Sequence, residues 1–208
     1  GGTGGHHAGD DLKLLPNGHD VGLEHPRYAY QEGEGGIAAA HALAEHVAAG
    51  APVAVILGDN VFQDSLAPVI DEFRRDPKGA RLLLKEVDDP ERFGVATVEG
   101  DRVTRIVEKP AEPDTALAVT GCYLFDDRVF DVIRTLEPSA RGELEITDVN
   151  NRYVDWGELR HRVRNGWWTD AGTVPSLHRA GQLVAADRDN PVLTATCPSA
   201  TTPVGGGE

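Results

Sequence analysis

The sequence predicts an α/β domain built on a mixed sheet with helices on its faces. Three features point that way. A short apolar run, Pro52 to Leu57, lies between two helix-like segments. Runs rich in valine and threonine flank a Gly-Asp turn between Gly94 and Glu108. Strand-like and helix-like stretches keep alternating along the chain.

Taken in order, "GIAAAHALAEHVAAG" (Gly36 to Gly50) combines strong helix formers with a glycine stop and leads into "PVAVIL". That run reads as a fully buried parallel strand, since it is apolar throughout. "SLAPVIDEFRRD" then places Leu66, Val69, Ile70 and Phe73 at helical spacing, and "ARLLLKEV" (Ala80 to Val87) is a second strand, giving a β-α-β rhythm. "GVATVEGDRVTRIVE" is a hairpin, which makes the sheet mixed. "AVTGCYLFD" (Ala118 to Asp126) is a further strand and "RVFDVIRTL" a helix. "ELEITDVNNRYVDWG" is a helix with Leu144, Val149 and Tyr153 available for burial. "ELRHRVR" alternates as an outer strand would, and "SLHRAGQLVAAD" is the last helix. The chain divides into one domain over residues 1–186 and a tail over 187–208, rich in Pro, Thr and Gly and expected to be flexible.

At 208 residues with 40% apolar content, the chain has room for one sizeable core. Its formal net charge of −14, from 34 acidic and 20 basic residues, argues against nucleic acid or an anionic membrane surface as partner. An anionic substrate must therefore be held by local groups. No stretch approaches the length of a membrane span and no signal-peptide pattern is present, so a cytoplasmic protein is expected. Cys122 and Cys197 show neither metal spacing nor a disulfide framework, which fits a reducing compartment.

The chemistry gathers at strand ends. "VILGDNVF" sets Asp59 just past the carboxyl end of the first strand, where open α/β sheets hold ligands. An aspartate there either holds a divalent ion or caps the following turn. "RIVEKP" ends another strand with Glu108, Lys109 and a proline that stops pairing. Lysine is scarce: Lys13, Lys78, Lys85 and Lys109 are the only four, against sixteen arginines. A compact ammonium beside a rigid turn suits a phosphate, and a neighbouring carboxylate suits sugar hydroxyls; an exposed ion pair is the plainer alternative. "NGWWTDAGT" sets Asp170 between aromatic residues and a Gly-Thr turn, as a site or as a packed loop with a helix cap. The opening "GGTGGHHAGDDLKLL" imitates a phosphate loop, but His6 and His7 lack a carboxylate or cysteine at ligand spacing and read as solvated turn residues.

The order and texture of these blocks resemble one family. "YAYQEGEGGIA", "VILGDNVF", "DDPERFGVATVE", "VEKP", "VTGCYLFD", "PSARGELEITDVNNRY" and "GWWTDAGT" look like successive blocks of the sugar-1-phosphate nucleotidyltransferases, from Thr3 to about Ala186. "SARGELEITD" points to the glucose-1-phosphate thymidylyltransferase branch. The resemblance implies a Rossmann-like mixed sheet flanked by helices, the nucleotide-diphospho-sugar transferase fold. It also implies transfer of a thymidylyl group from dTTP to glucose 1-phosphate with Mg2+ as cofactor, and, for a complete chain, a homo-oligomer.

Carried over residue by residue, Gln31 matches the reader of the pyrimidine edge, and Gly36 the glycine that lets the nucleotide approach the backbone. Asp59 and Asp170 match the pair that holds magnesium. Gly94, Glu108 and Gly121 match the sugar pocket, Lys109 the contact to the sugar phosphate, and Arg141 a second phosphate contact. Trp168 would then be a wall beside the metal aspartate, or equally a residue with a purely packing role.

The chain also departs from the family pattern. The signature G-G-x-G-T-R-L, followed by x-P-x-T and a later lysine, wraps the triphosphate in relatives and is not found here. An N-terminally incomplete domain is therefore expected, with poor turnover of dTTP and glucose 1-phosphate. Phe93 stands where relatives often carry tyrosine, and Ala39 where some place a polar residue. The alternative is a non-catalytic sugar-phosphate-binding or partner subunit derived from the same family. A nucleotide-sugar-using glycosyltransferase fits less well, for want of an Asp-x-Asp metal motif.

Overall fold

The computed structural model describes residues 27–187. His6, His7, Lys13, Cys197 and the tail beyond Asp187 lie outside the described residues. In chain order the elements are α1 (Gly36–Ala42), α2 (Glu45–Ala48), β1 (Val53–Ile56), β2 (Asn60–Phe62), α3 (Ala67–Arg75), β3 (Ala80–Glu86), a 3-10 turn (Pro90–Arg92), β4 (Gly94–Glu99) and β5 (Arg102–Glu108). Then follow β6 (Leu117–Phe125), α4 (Val129–Arg134), α5 (Ile146–Asp155), β7 (Leu159–Val163), β8 (Trp168–Asp170) and α6 (Val174–Ala186). No helix among the described residues is long and apolar enough to cross a membrane.

Six strands form the main sheet in the order β1-β6-β3-β7-β5-β4, and an extra pairing of β4 with β6 joins the hairpin back to it. The sheet is mixed, as expected: β3 runs parallel to β7 and antiparallel to β6. Both faces of its centre are covered. Ala80, Leu82, Leu84, Tyr123 and Phe125 point into a core shared with residues of α1, α4 and α5. Leu83, Cys122 and Leu124 point the other way, against Val69 and Phe73 of α3. This two-sided burial explains the unbroken apolar runs Leu82–Leu84 and Cys122–Phe125. Burial pushes the Cys122 thiol up to about 11, so it packs as an inert apolar group.

Three expectations are corrected. The apolar run at Pro52 to Leu57 is not a fully buried parallel strand: β1 pairs antiparallel with β6, and Ile56 is 49% exposed. β1 and β3 are both antiparallel to β6 and hence parallel to each other. The β-α-β crossover through α3 therefore exists, with β6 inserted between its strands. "ELRHRVR" is not an outer strand either, since β7 lies between β3 and β5. Its alternation reflects one-sided burial: Leu159 is fully buried, while Arg160 and Arg162 reach out to Asp101 and Glu72. The helix at Gly36 to Gly50 is broken at Leu43–Ala44 into two, and ends at Ala49 and Gly50 in the left-handed region.

His41 sits in the core on α1 with neither ring nitrogen hydrogen-bonded, its ring 5.7 Å from Phe125 and 5.3 Å from Phe130. Desolvation lowers its pKa to about 4 from 6.5, so the folded protein holds it neutral. The unfolded chain takes up the proton first, and stability falls as pH drops from 6.5 towards 4. From pH 7 to 4.5 this residue's contribution falls by roughly 2–3 kcal/mol. Urea denaturation at the two pH values checks this. His41→Leu is expected to lose that part of the pH dependence, and an unchanged difference would contradict the assignment.

Candidate active site

Asp59 and Asp170 are brought together by the small β2–β8 ladder. In its register Asn60 lies opposite Asp170, and the Ala171 N–H donates to the Asp59 carbonyl at 2.6 Å. A Cβ placed on Gly172 would lie 3.1 Å from Asp59 Oδ2 and 3.8 Å from Asp170 Oδ2, so both carboxylates approach one point beside this glycine.

The orientation of Asp59 depends on Asn60. The Asn60 amide donates to Asp59 Oδ1 at 2.8 Å, while its Oδ1 accepts from Gly121 N–H and from Trp168 Nε1, each at 2.8 Å. These bonds use the amide's donor and acceptor together. They also give Gly121 a defined role: a Cβ there would fall 2.5–2.8 Å from the Asn60 side chain. Trp168 is buried beside the pair, with Phe93 edge-on to it at 5.1 Å.

Arg92 closes this end. It donates to Asp89 at 2.7 Å and reaches Asp170 at 3.4 and 3.5 Å, its guanidinium lying 5.0 Å from the centre of the Phe93 ring. The hydrogen bond to Asp89, then the charges of Asp170 and Asp89, raise its pKa against desolvation.

A second cluster forms where the β4–β5 hairpin opens, with Gly94 opposite Glu108. Thr147, in the first turn of α5, donates to Glu108 Oε2 at 2.8 Å, and a Cβ on Gly94 would come within 3.3 Å of that same oxygen. Lys109 lies in the left-handed region at φ 43°, unusual for lysine, and its N–H donates to the Phe93 carbonyl at 3.0 Å. Its ammonium is 3.9 Å from Glu108 Oε1. The segment "ERFG" thus joins the two clusters, Arg92 facing the aspartates and Gly94 facing Glu108.

Arg141 is engaged by acids. It makes a bidentate pair with Glu145, both contacts at 2.8 Å, and approaches Glu143 at 3.8 Å. The residue matched to a phosphate contact is thus held by two carboxylates beside the start of α5. Burial alone would raise the Glu145 pKa, but hydrogen bonds from Ser139 and Arg141 and the charges of Arg141 and Lys109 carry it below the usual carboxylate range.

The segment from Gln31 to Gly36 is tied to the same region. Gln31 Nε2 donates to the Gly36 carbonyl at 3.1 Å, and the Leu144 N–H donates to the Gly35 carbonyl at 2.9 Å. Gly36 has φ 85°, and a Cβ there would lie 2.6 Å from the Leu144 carbonyl oxygen. Protein backbone, rather than open space, requires this glycine.

Sequence reasoning missed roles for Asn60, Arg92, Thr147 and Glu145. All four sit inside blocks it singled out. The bonds of Asn60 to Gly121 and Trp168, of Arg92 to Asp170 and of Thr147 to Glu108 join residues far apart in sequence and leave no local signal. Arg141 and Glu145, by contrast, are four residues apart, a spacing that could have revealed their pair.

Residues 6–187 match the family described as Nucleotidyl transferase. The low-salt glycan biosynthesis nucleotidyltransferase Agl11 of Haloferax volcanii is 37% identical over 187 residues, covering 88% of this chain and 52% of that protein. A glucose-1-phosphate thymidylyltransferase of Neisseria gonorrhoeae is 37% identical over 189 residues, covering 89% of this chain and 65% of the relative. A crystal structure from Bacillus anthracis, assigned as a glucose-1-phosphate thymidylyltransferase in complex with sucrose, is 48% identical with a TM-score of 0.81. That likeness covers 86% of this chain and 73% of the other. UDP-glucose pyrophosphorylase complexed with UDP-glucose, 20% identical at a TM-score of 0.73, shares the fold across 88% of this chain and 73% of its own. The chain spans about half to two thirds of the length of these curated relatives. The mixed α/β sheet and the blocks along it have a common explanation: the chain belongs to the nucleotidyl transferase family.

Proposed function

We propose that this domain transfers a thymidylyl group from dTTP to glucose 1-phosphate, giving dTDP-glucose and pyrophosphate. The observation that carries this reading is the meeting of Asp59 and Asp170 at Gly172, within a family whose relatives include proteins named for that reaction. A phosphate oxygen of the sugar phosphate attacks the α-phosphorus of dTTP in line, and pyrophosphate leaves. Both reactants are anions, so positioning and charge neutralisation dominate, and no protein nucleophile is required.

The donor set fits magnesium. Among the described residues no group of three His, Cys, Asp or Glu is placed to hold a metal alone. Two carboxylates with substrate oxygens and water completing the shell are a usual arrangement for this ion. Held by Asp59 and Asp170, Mg2+ supplies charge neutralisation at the reacting phosphates. Asn60 fixes the Asp59 carboxylate. Lys109 covers the sugar phosphate, and Glu108, aligned by Thr147, accepts a sugar hydroxyl; an isomer with that hydroxyl misplaced would leave the carboxylate unpaired. Gln31 reads the pyrimidine edge.

Calorimetric titration with dTDP-glucose, UDP-glucose and ADP-glucose in the presence of Mg2+ tests the substrate assignment. dTDP-glucose is expected to bind about tenfold more tightly than UDP-glucose, from which it differs by the methyl group on the base and the missing 2′-hydroxyl on the pentose. Equal affinity for all three would overturn the thymidylyl assignment. Binding of glucose 1-phosphate with no binding of dTTP or dTDP-glucose would favour the sugar-phosphate-binding or partner subunit.

A further inference from the structure

We propose that Arg92 is a displaceable counter-ion that competes with a divalent cation for the Asp170 carboxylate. The inference rests on the reading of Asp59 and Asp170 as the cation-holding pair. The two aspartates are supported differently. Asp59 takes a hydrogen bond from the neutral Asn60 amide, which orients it without cancelling its charge. Asp170 instead faces a full positive charge.

The contacts of Arg92 are unequal. Its 2.7 Å bond to Asp89 has the length of a strong charge-assisted hydrogen bond, whereas 3.4 and 3.5 Å to Asp170 are long. Asp89 precedes the 3-10 turn that carries Arg92, so this pair is local and anchored by the turn. The guanidinium also rests on Phe93, and its side chain is 42% exposed. Arg92 is thus hinged on Asp89 and held loosely at Asp170. An arriving cation takes the Asp170 carboxylate and leaves the hinge intact. Until then the guanidinium offsets the repulsion between two carboxylates that crowd one glycine.

The test is Mn2+ titration of the full chain, free Mn2+ being read by electron paramagnetic resonance. Arg92→Gln is expected to bind Mn2+ about two- to fivefold more tightly than the wild type, the size of a partly exposed ion-pair effect. Arg92→Lys, which keeps the charge, should stay with the wild type. Arg74→Gln removes one positive charge from the exposed Arg74–Asp71 pair on α3 and should also leave affinity unchanged. A residue with a merely structural role would loosen the site when removed, not tighten it. Arg92→Ala provides the same readout at this position through a different side chain. Unchanged or weaker binding in Arg92→Gln and Arg92→Ala, or an equal gain in Arg74→Gln, would overturn the counter-ion. Should Asp59→Asn and Asp170→Asn bind Mn2+ like the wild type, the cation-site reading itself fails. Loss of binding in those two with no gain on removing Arg92 sinks only the counter-ion.

Discussion

Asn60→Ala is expected to weaken divalent-cation binding by about 10–100-fold, the usual penalty for removing a residue that orients a metal ligand. Its side chain touches Asp59, the backbone of Gly121 and the indole of Trp168, so one truncation releases the carboxylate and strands two N–H donors. Trp168 is 7% exposed, which leaves its indole donor little access to water. Stability should fall by about 1–3 kcal/mol from the unpaired donors. Mn2+ titration and urea denaturation measure the two effects separately. Cation affinity within about twofold of the wild type would show that Asp59 does not need its clasp.

Asp126→Ala is expected to cost about 2–5 kcal/mol, chiefly from two buried donors left without an acceptor. Asp126 is 5% exposed and sits just past the end of β6. It accepts from the Gly79 N–H at 2.8 Å, from Tyr153 Oη at 2.8 Å, and from Arg128 through both Nε and Nη2. Tyr153 is fully buried, so the substitution leaves its hydroxyl and the Gly79 amide unpaired in the interior. The loss amounts to a sizeable part of the net stability of many domains, which is about 5–15 kcal/mol. The same network ties the end of β6 to the start of β3, and β6 carries Gly121 on to Asn60. Its removal should therefore loosen the cation site as well. Urea denaturation checks the cost, and a loss below about 1 kcal/mol would contradict the network's role.

What the sequence made legible was local. The hairpin at Gly94 to Glu108 was readable because its β-branched runs and Gly-Asp turn are neighbours in the chain. α3 was readable because Leu66, Val69, Ile70 and Phe73 repeat with the helical period. The direction of β1 was not, because an apolar run records burial and says nothing about which strand lies beside it. β7 was misplaced for a related reason: alternation reports that one face is wet, and an inner strand near the end of a sheet meets that condition too.

The site followed the same division. Asp59 was singled out from its position past a strand end, Asp170 from its place between aromatic residues and a Gly-Thr turn, and only the family resemblance paired them; the β2–β8 ladder brings them together. Gly36 was matched to a close approach by the nucleotide and Gly121 to the sugar pocket; the protein neighbours that exclude a side chain at each, the Leu144 carbonyl and the Asn60 side chain, could not be read from the sequence. Arg141 was chosen for phosphate, yet it is paired with Glu145. A lone sequence shows which residues carry charge or lack a side chain. It does not show which protein groups fold back onto them.

The account rests on Asp59 and Asp170 acting through a cation on a nucleotide sugar held at Glu108 and Lys109. Equilibrium binding of dTDP-glucose, measured by calorimetry with Mg2+ and with the metal chelated, tests this most directly. Wild type is expected to bind more tightly with Mg2+ and to lose that gain in Asp170→Asn. Metal-independent binding, or a gain that survives in Asp170→Asn, would contradict the account.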